Sequence, residues 1–294
     1  MINGEFFRPA GTDEACALLA RYRERATILA GGTDLMVAVN QRTRLLDVVI
    51  HIGHVGLDYV TATEDELVIG AATTHAGIAR STTVRERAPL LAKVVKSIGS
   101  PAIRNMGTIG GNIANASPGA DGAVALLALG AKVKLISVRG ERIVDLDKYF
   151  HGYGETVMEP DELLKEVIIP ACNGGCRWRW RKVGQRKAGV CAVISVGVAV
   201  QFDSGVCHRA RIAMGTVAPT PVLARRAGSI LEGHRLEAPL VERAAQAATE
   251  ALADRDGLRA TAWYRRRLAE VLVRRFLNEV SGEEEGIISC PGSS

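Results

Sequence analysis

The sequence predicts an α+β fold, with small antiparallel sheets and helices in separate stretches of chain. Two observations lead to it. Strand-like runs face each other across tight turns as hairpins, 59–63 with 66–69 and 132–138 with 142–146. Two long β-type runs, 190–201 and 209–217, are followed only by helical periodicity. A doubly wound fold would alternate strand and helix along the whole chain, and that alternation is not regular here.

The elements follow in order. Residues 26–29 are a short apolar strand broken by Gly31-Gly32, and Thr33 or Asp34 is placed to cap a helix through Asn40. Residues 45–52 read as a buried strand. Thr74 is placed to cap a short helix, and 89–98 is a stronger helical segment. Residues 107–121 are rich in Gly, Asn, Ser and Pro and read as a loop, before a helix at 123–129. A strand at 162–169 stops at Pro170. Beyond a boundary at 171–175, residues 177–182 alternate Arg with Trp178 and Trp180, which suits a half-buried strand. Three helices close the chain at 223–231, 239–252 and 260–280. The last carries Leu268, Val271, Leu272 and Leu277 on one side. The expected division is 1–174, with subdomains of about 1–55 and 56–174, then 175–282. Residues 283–294 are expected to form a mobile tail.

Composition narrows the classes. Apolar residues make up 47% of the 294, enough for a substantial core, and charged residues 23%, too ordered a balance for a disordered chain. Aromatics are 4%, so the core is built from aliphatic residues. The formal charge of +5, with basic clusters at 177–187 and 265–267, raises a nucleic-acid binder as one reading. Solvated faces or docking surfaces are the more ordinary one. No run approaches the ~20 apolar residues of a membrane span. The first eight residues lack a secretory pattern, so a cytoplasmic protein is expected. Cys172 and Cys176 form the one close cysteine pair, short of the two pairs or longer run that zinc or iron–sulfur sites need, so no metal site is expected. The six histidines are scattered, and none is assigned a catalytic role.

Two glycine segments carry the chemistry. The first is Leu29-Ala30-Gly31-Gly32-Thr33-Asp34-Leu35, and the second runs from Gly107 to Asp121. Glycine lets backbone approach a ligand closely and adopt positive φ, and successive N–H groups then converge on an anion. Neither segment is followed by the Gly-Lys-Ser/Thr of a P-loop, and neither has the Gly-x-Gly-x-x-Gly of a dinucleotide-binding βαβ unit. A Gly-Gly turn alone is ordinarily structural. The second segment, with two Asn, a Ser and an Asp among its small residues, calls for a ligand or ordered water if it is buried.

These segments resemble the flavin-binding loops of the molybdenum hydroxylase family, which includes xanthine dehydrogenases and carbon monoxide dehydrogenases. The likeness extends to Phe6-Phe7-Arg8-Pro9, Ile69-Gly70-Ala71-Ala72-Thr73 and, most specifically, Ile103-Arg104-Asn105-Met106-Gly107-Thr108-Ile109-Gly110-Gly111-Asn112. It implies a two-part FAD-binding domain of the p-cresol methylhydroxylase type and a C-terminal domain of the CO dehydrogenase flavoprotein type. It implies that Ile28, Leu29, Ala30, Gly31, Gly32, Thr33, Asp34 and Leu35 wrap the ribityl chain and pyrophosphate. Thr108, Ile109, Gly110, Gly111 and Asn112 would hold the pyrophosphate from the second segment, with Asn115 nearby. Asp121 would take hydrogen bonds from the ribose, Ile98 and Leu164 would flank the adenine, and Lys182 would lie on the cofactor. Residues 187–191 match a loop near the isoalloxazine, where Ala188, Gly189 and Val190 are small and apolar.

The resemblance further implies a partner [2Fe–2S] subunit, a molybdopterin-binding large subunit in a dimer of heterotrimers, and a soluble electron acceptor such as NAD. No residue of this chain is then expected to act on the hydroxylated substrate. Two rivals make other predictions: a stand-alone FAD-dependent oxidase of the same fold, and a colourless basic nucleic-acid-binding module.

Overall fold

The computed structural model describes residues 2–172, 176–186, 191–253, 256, 259–282 and 287–288. The chain opens with β1 (Ile2–Phe7), α1 (Thr12–Tyr22), β2 (Ala26–Leu29), α2 (Leu35–Asn40) and β3 (Leu46–His51). These strands form a three-stranded sheet of order β1-β3-β2, and both pairings are parallel. The first subdomain is therefore a small βαβαβ unit, an alternation the hairpin-based reading missed. Its strands are only four to six residues long and β1 carries a polar Asn-Gly-Glu, so periodicity hid it. Parallel pairing demands helical crossovers, and α1 buries Ala15, Cys16 and Leu19 against Val48 and Ile50.

The second unit is an antiparallel sheet of order β4-β5-β10-β6-β7. Its hairpins are β4 (Val60–Ala62) with β5 (Glu66–Gly70) and β6 (Lys132–Ser137) with β7 (Gly140–Asp145), as the sequence predicts. Between them lie six helices: α3 (His75–Arg80), α4 (Thr82–Arg87), α5 (Pro89–Val95), α6 (Pro101–Met106), α7 (Ile109–Ala114) and α8 (Asp121–Ala128). A ribbon of β8 (Phe150–Gly152) and β9 (Glu155–Thr156) precedes β10 (Leu163–Pro170), which inserts between the hairpins. Every residue of α8 is buried, which its all-round apolar sequence requires.

The third unit contains β11 (Cys176–Val183), β12 (Ile194–Asp203), β13 (Val206–Gly215), β14 (Val222–Leu223), α9 (Arg225–Leu231), α10 (Ala238–Ala248), α11 (Ala262–Ser281) and β15 (Ile287–Ile288). The run Ile194-Ser195-Val196-Gly197-Val198-Ala199-Val200 explains how its sheet is sandwiched. Ile194, Val196, Val198 and Val200 pack on the helices α9–α11. Ser195, Gly197 and Ala199 face the other way, where small side chains let α8 approach closely. The buried seam of α11 is Ala269, Val273, Phe276, Leu277 and Val280. Leu268 and Leu272 only flank it, and Val271 lies outside. The apolar stripe read from the sequence is thus rotated, because Ala269 carries too little surface to mark a face.

Of the expected mobile tail, Ile287–Ile288 pair with β11 as an edge strand. The rest of 283–294 lies outside the described residues, as do Ala188, Gly189 and Val190.

Candidate cofactor-binding site

A cleft of about 660 Å³ runs between the first unit, the helical side of the second and the start of the third. That size suits a cofactor. It is lined by every sequence-predicted site residue except Ile109: Ile28 to Leu35, Ile98, Thr108, Gly110, Gly111, Asn112, Asn115, Asp121, Leu164 and Lys182. Ile109 is fully buried in the main core instead, the inward position at the head of α7.

The first glycine segment leaves β2 at the end of the parallel sheet. Gly32 has φ +69°, a left-handed conformation that glycine adopts without penalty. Gly31 lies so close to the 106–107 backbone that a Cβ there would stand 1.7 Å from the Met106 carbonyl oxygen. Asp34 occupies the N-cap position of α2, but its side chain caps nothing, contrary to the sequence expectation for Thr33 or Asp34. Among the described residues, the backbone N–H groups of Gly31, Gly32, Thr33, Asp34 and Leu35 donate to no protein acceptor. Five consecutive open amides at a helix start form an anion-binding surface.

The second segment differs from its sequence reading. Residues 109–114 are helical, not loop. Thr108 caps this helix, its Oγ1 accepting from the Gly111 N–H at 3.1 Å. The Ile109 and Gly110 amides donate to the carbonyls of Thr73 and Ala71 at 3.0 and 2.9 Å, and the Asn112 amide to Thr108 at 3.0 Å. These bonds overcome the poor helix propensity of Gly-Gly. They also mean that Ile109, Gly110, Gly111 and Asn112 do not offer their amides to an anion. What it turns toward the cleft is side chain: Thr108, Asn112 and Asn115.

Several polar atoms here are buried without a partner among the described residues. They are Asn112 Oδ1, Asp121 Oδ1 and His75 Nδ1. Such atoms are costly unless a ligand or water satisfies them. Asp121 also accepts from Lys182 Nζ at 2.6 Å, an ion pair that joins the head of α8 to β11 across the cleft. Burial raises the Asp121 carboxyl above its ordinary value, and Lys182 pulls it part of the way back. Arg104, from the most specific run of the resemblance, donates to the carbonyls of Ile98 and Gly99 at 2.9 and 3.1 Å and so fixes the Ile98 wall.

Arg44 and His75 are among the cleft residues that sequence reasoning did not single out. Arg44 is exposed at the lining, and the only signal for it was a basic residue beside a buried strand. His75 is 3% exposed, and its backbone N–H donates to the Gly107 carbonyl. Burial, aided by the Arg104 charge, lowers its pKa to about 4. The imidazole is therefore neutral at physiological pH. Because the folded state resists the proton that the unfolded state accepts from pH 6.5 downward, stability falls as pH drops from 6.5 toward about 4. The expected loss from this group is about 3 kcal/mol by the lower limit. Urea unfolding of wild type and His75→Gln checks it: the His75→Gln protein should lose less stability across that window, and equal losses would remove His75 as the cause.

Several arginines of the basic clusters are engaged within the fold. Arg177 donates to the Val280 carbonyl at 2.8 Å, Arg179 pairs with Glu279 at 2.9 Å, and Arg267 pairs with Glu270 at 3.1 Å. The first two of these contacts dock β11 on α11. Among the described residues no helix is long and apolar enough to cross a membrane.

Comparison with known proteins agrees with this geometry. Residues 2–172 match the family described as FAD binding domain in molybdopterin dehydrogenase, and 179–280 match the CO dehydrogenase flavoprotein C-terminal domain. The chain is 35% identical to the carbon monoxide dehydrogenase medium chain of Afipia carboxidovorans, over 94% of this chain and 96% of that one. It is 33% identical to the nicotinate dehydrogenase FAD-subunit of Eubacterium barkeri, over 96% and 97%. The solved structure of reconstituted CO dehydrogenase from Oligotropha carboxidovorans superposes with a TM-score of 0.90 at 32% identity, covering 96% of this chain and 99% of that one. The fold and the cleft are those of a flavin-dinucleotide-binding domain joined to a sheet-and-helix domain. The chain belongs to the medium, FAD-binding subunits of the molybdenum hydroxylases.

Proposed function

We propose that this chain holds FAD in the cleft and serves as the electron relay of a cytoplasmic molybdenum hydroxylase. In this reading it receives electrons from a partner [2Fe–2S] subunit and delivers them to a soluble acceptor such as NAD. A molybdopterin-binding large subunit hydroxylates the substrate, and the whole is a dimer of heterotrimers. The observation that carries the cofactor part is the row of open amides from Gly31 to Leu35. The partner arrangement rests on the names of the relatives, which are medium chains and FAD-subunits of multi-chain enzymes.

The residues divide the work by chemistry. The open amides neutralise the diphosphate without a formal charge, and the Thr108 hydroxyl and the Asn112 and Asn115 amides face them from the second segment. Ile98 and Leu164 offer apolar walls for the adenine, and Ile28 to Ala30 line the path of the ribityl chain. The free Asp121 oxygen is placed to accept from a ribose hydroxyl while Lys182 holds the other. When bound, the flavin supplies the exchange between single-electron and hydride transfer. This chain's part is to bind it, orient it and hold charge steady around it.

Purification of the chain from its native cells with whatever it binds, followed by spectra and metal analysis, tests the whole reading. The expected product is a yellow-brown complex containing FAD, iron and molybdenum, in which an acceptor is reduced. A folded chain that stays colourless with excess FAD would overturn the cofactor assignment. A yellow chain that co-purifies with no iron–sulfur partner would overturn the relay.

A further inference from the structure

We propose that Cys172 and Cys176 form a reversible dithiol–disulfide pair, oxidised by peroxide, that ties the flavin-binding half of the chain to the C-terminal half. Cys172 lies two residues beyond the end of β10, and Cys176 is the first residue of β11. Gln201 relates the two: its Nε2 donates to Cys172 Sγ at 3.0 Å, it is the ladder partner of Cys176, and neither cysteine is in a disulfide. The pair therefore needs no large rearrangement to bring sulfur to sulfur.

The two environments differ as an attacking and a resolving thiol require. Cys172 is partly exposed, and Gln201 Nε2 donates to its Sγ at 3.0 Å. Cys176 is 2% exposed and stands opposite Gln201 in the β11–β12 ladder. The neighbouring Cys176 thiol, with Gln201 and the charge of Arg209, holds the Cys172 thiol below its ordinary value. The neighbouring Cys172 sulfur, together with burial, pushes Cys176 up. Cys172 is thus the accessible sulfur with thiolate character, and thiolates are the species that peroxides oxidise.

The chemistry balances in two steps. The Cys172 thiolate attacks one peroxide oxygen, the O–O bond breaks, and hydroxide leaves; the sulfur becomes a sulfenic acid. The Cys176 sulfur then attacks that sulfur, the S–O bond breaks, and the Cys176 proton departs with the hydroxyl as water. In sum, two thiols and one hydrogen peroxide give one disulfide and two waters. A cellular thiol reverses the step by exchange. The bond would lock the start of β11, the strand that also carries Lys182 to the cleft.

Peroxide treatment of the purified full chain, alkylation and trypsin digestion test this. Both cysteines fall in one tryptic peptide, 166–177, between Lys165 and Arg177. The expected result is a peptide lighter by two hydrogens that resists alkylation until dithiothreitol is added. The thiol count of the unfolded protein should fall by two from six. Oxidation of exposed Cys191 with the pair still reduced would overturn the proposal. So would a 166–177 peptide that gains oxygen without losing hydrogen. A second protein, Cys176→Ser, should trap the sulfenic acid at Cys172 as a dimedone adduct, and a folded variant giving no adduct counts against it. If Cys176→Ser does not fold, the wild-type peptide decides alone.

Discussion

Gly31→Ala should strip most of the FAD from a protein that still folds. The new Cβ would stand 1.7 Å from the Met106 carbonyl oxygen and 2.5 Å from its carbon. Both are backbone atoms, held by the Gly107 N–H to Ile103 bond at 2.7 Å and by the His75 to Gly107 bond at 2.9 Å. They cannot swing away as a side chain would. The first segment must move instead, and it carries the five open amides. Overpacking of this kind costs about 1–3 kcal/mol. Because the displaced amides are those assigned to the diphosphate, the cost appears in cofactor affinity, as a weakening of about 5- to 150-fold. Flavin absorbance per folded chain, with a fluorescence titration of the apo form, measures it. Wild-type stoichiometry and affinity in folded Gly31→Ala would mean the segment does not grip the cofactor. Gly111→Val is a softer test of the second segment. A Cβ at Gly111 meets only Thr108 Oγ1, at 3.0 Å.

Lys182→Met should cost about 3–5 kcal/mol, because it leaves the Asp121 carboxylate buried without its partner. The side chains are 15% and 4% exposed, so water cannot replace the ammonium. The pH dependence is distinctive. Burial already places the folded carboxyl above 3.8, and loss of Lys182 raises it further. A raised carboxyl pKa means that the folded state holds a proton the unfolded state has released, so stability falls as pH rises through that window. The deficit of Lys182→Met is therefore largest at neutral pH and shrinks as pH falls through the folded pKa toward 3.8. Adding Asp121→Asn should recover much of the loss. Urea midpoints of the two single variants and the double variant close the cycle. A deficit independent of pH and unrelieved by Asp121→Asn would show that Lys182 acts through packing of its stem alone.

The sequence by itself determined much of this protein. The hairpins at β4–β5 and β6–β7, the long antiparallel strands β12 and β13, and the three closing helices were legible because each follows a local rule of alternation, turn chemistry or helical period. The cleft residues were legible through two glycine segments and the resemblance they carry. Only the tertiary structure decided the rest. The parallel sheet of β1, β2 and β3 went unread because pairing between distant strands leaves no mark in a short segment. Helix α7 forms where composition indicates loop, because Thr73, Ala71 and Thr108 supply its hydrogen bonds from outside or at its cap. That same stitching occupies the amides of Ile109 to Asn112 and leaves the row of open amides on the first segment. Which N–H groups stay open depends on where distant carbonyls fall, and no spacing of residues along the chain encodes that.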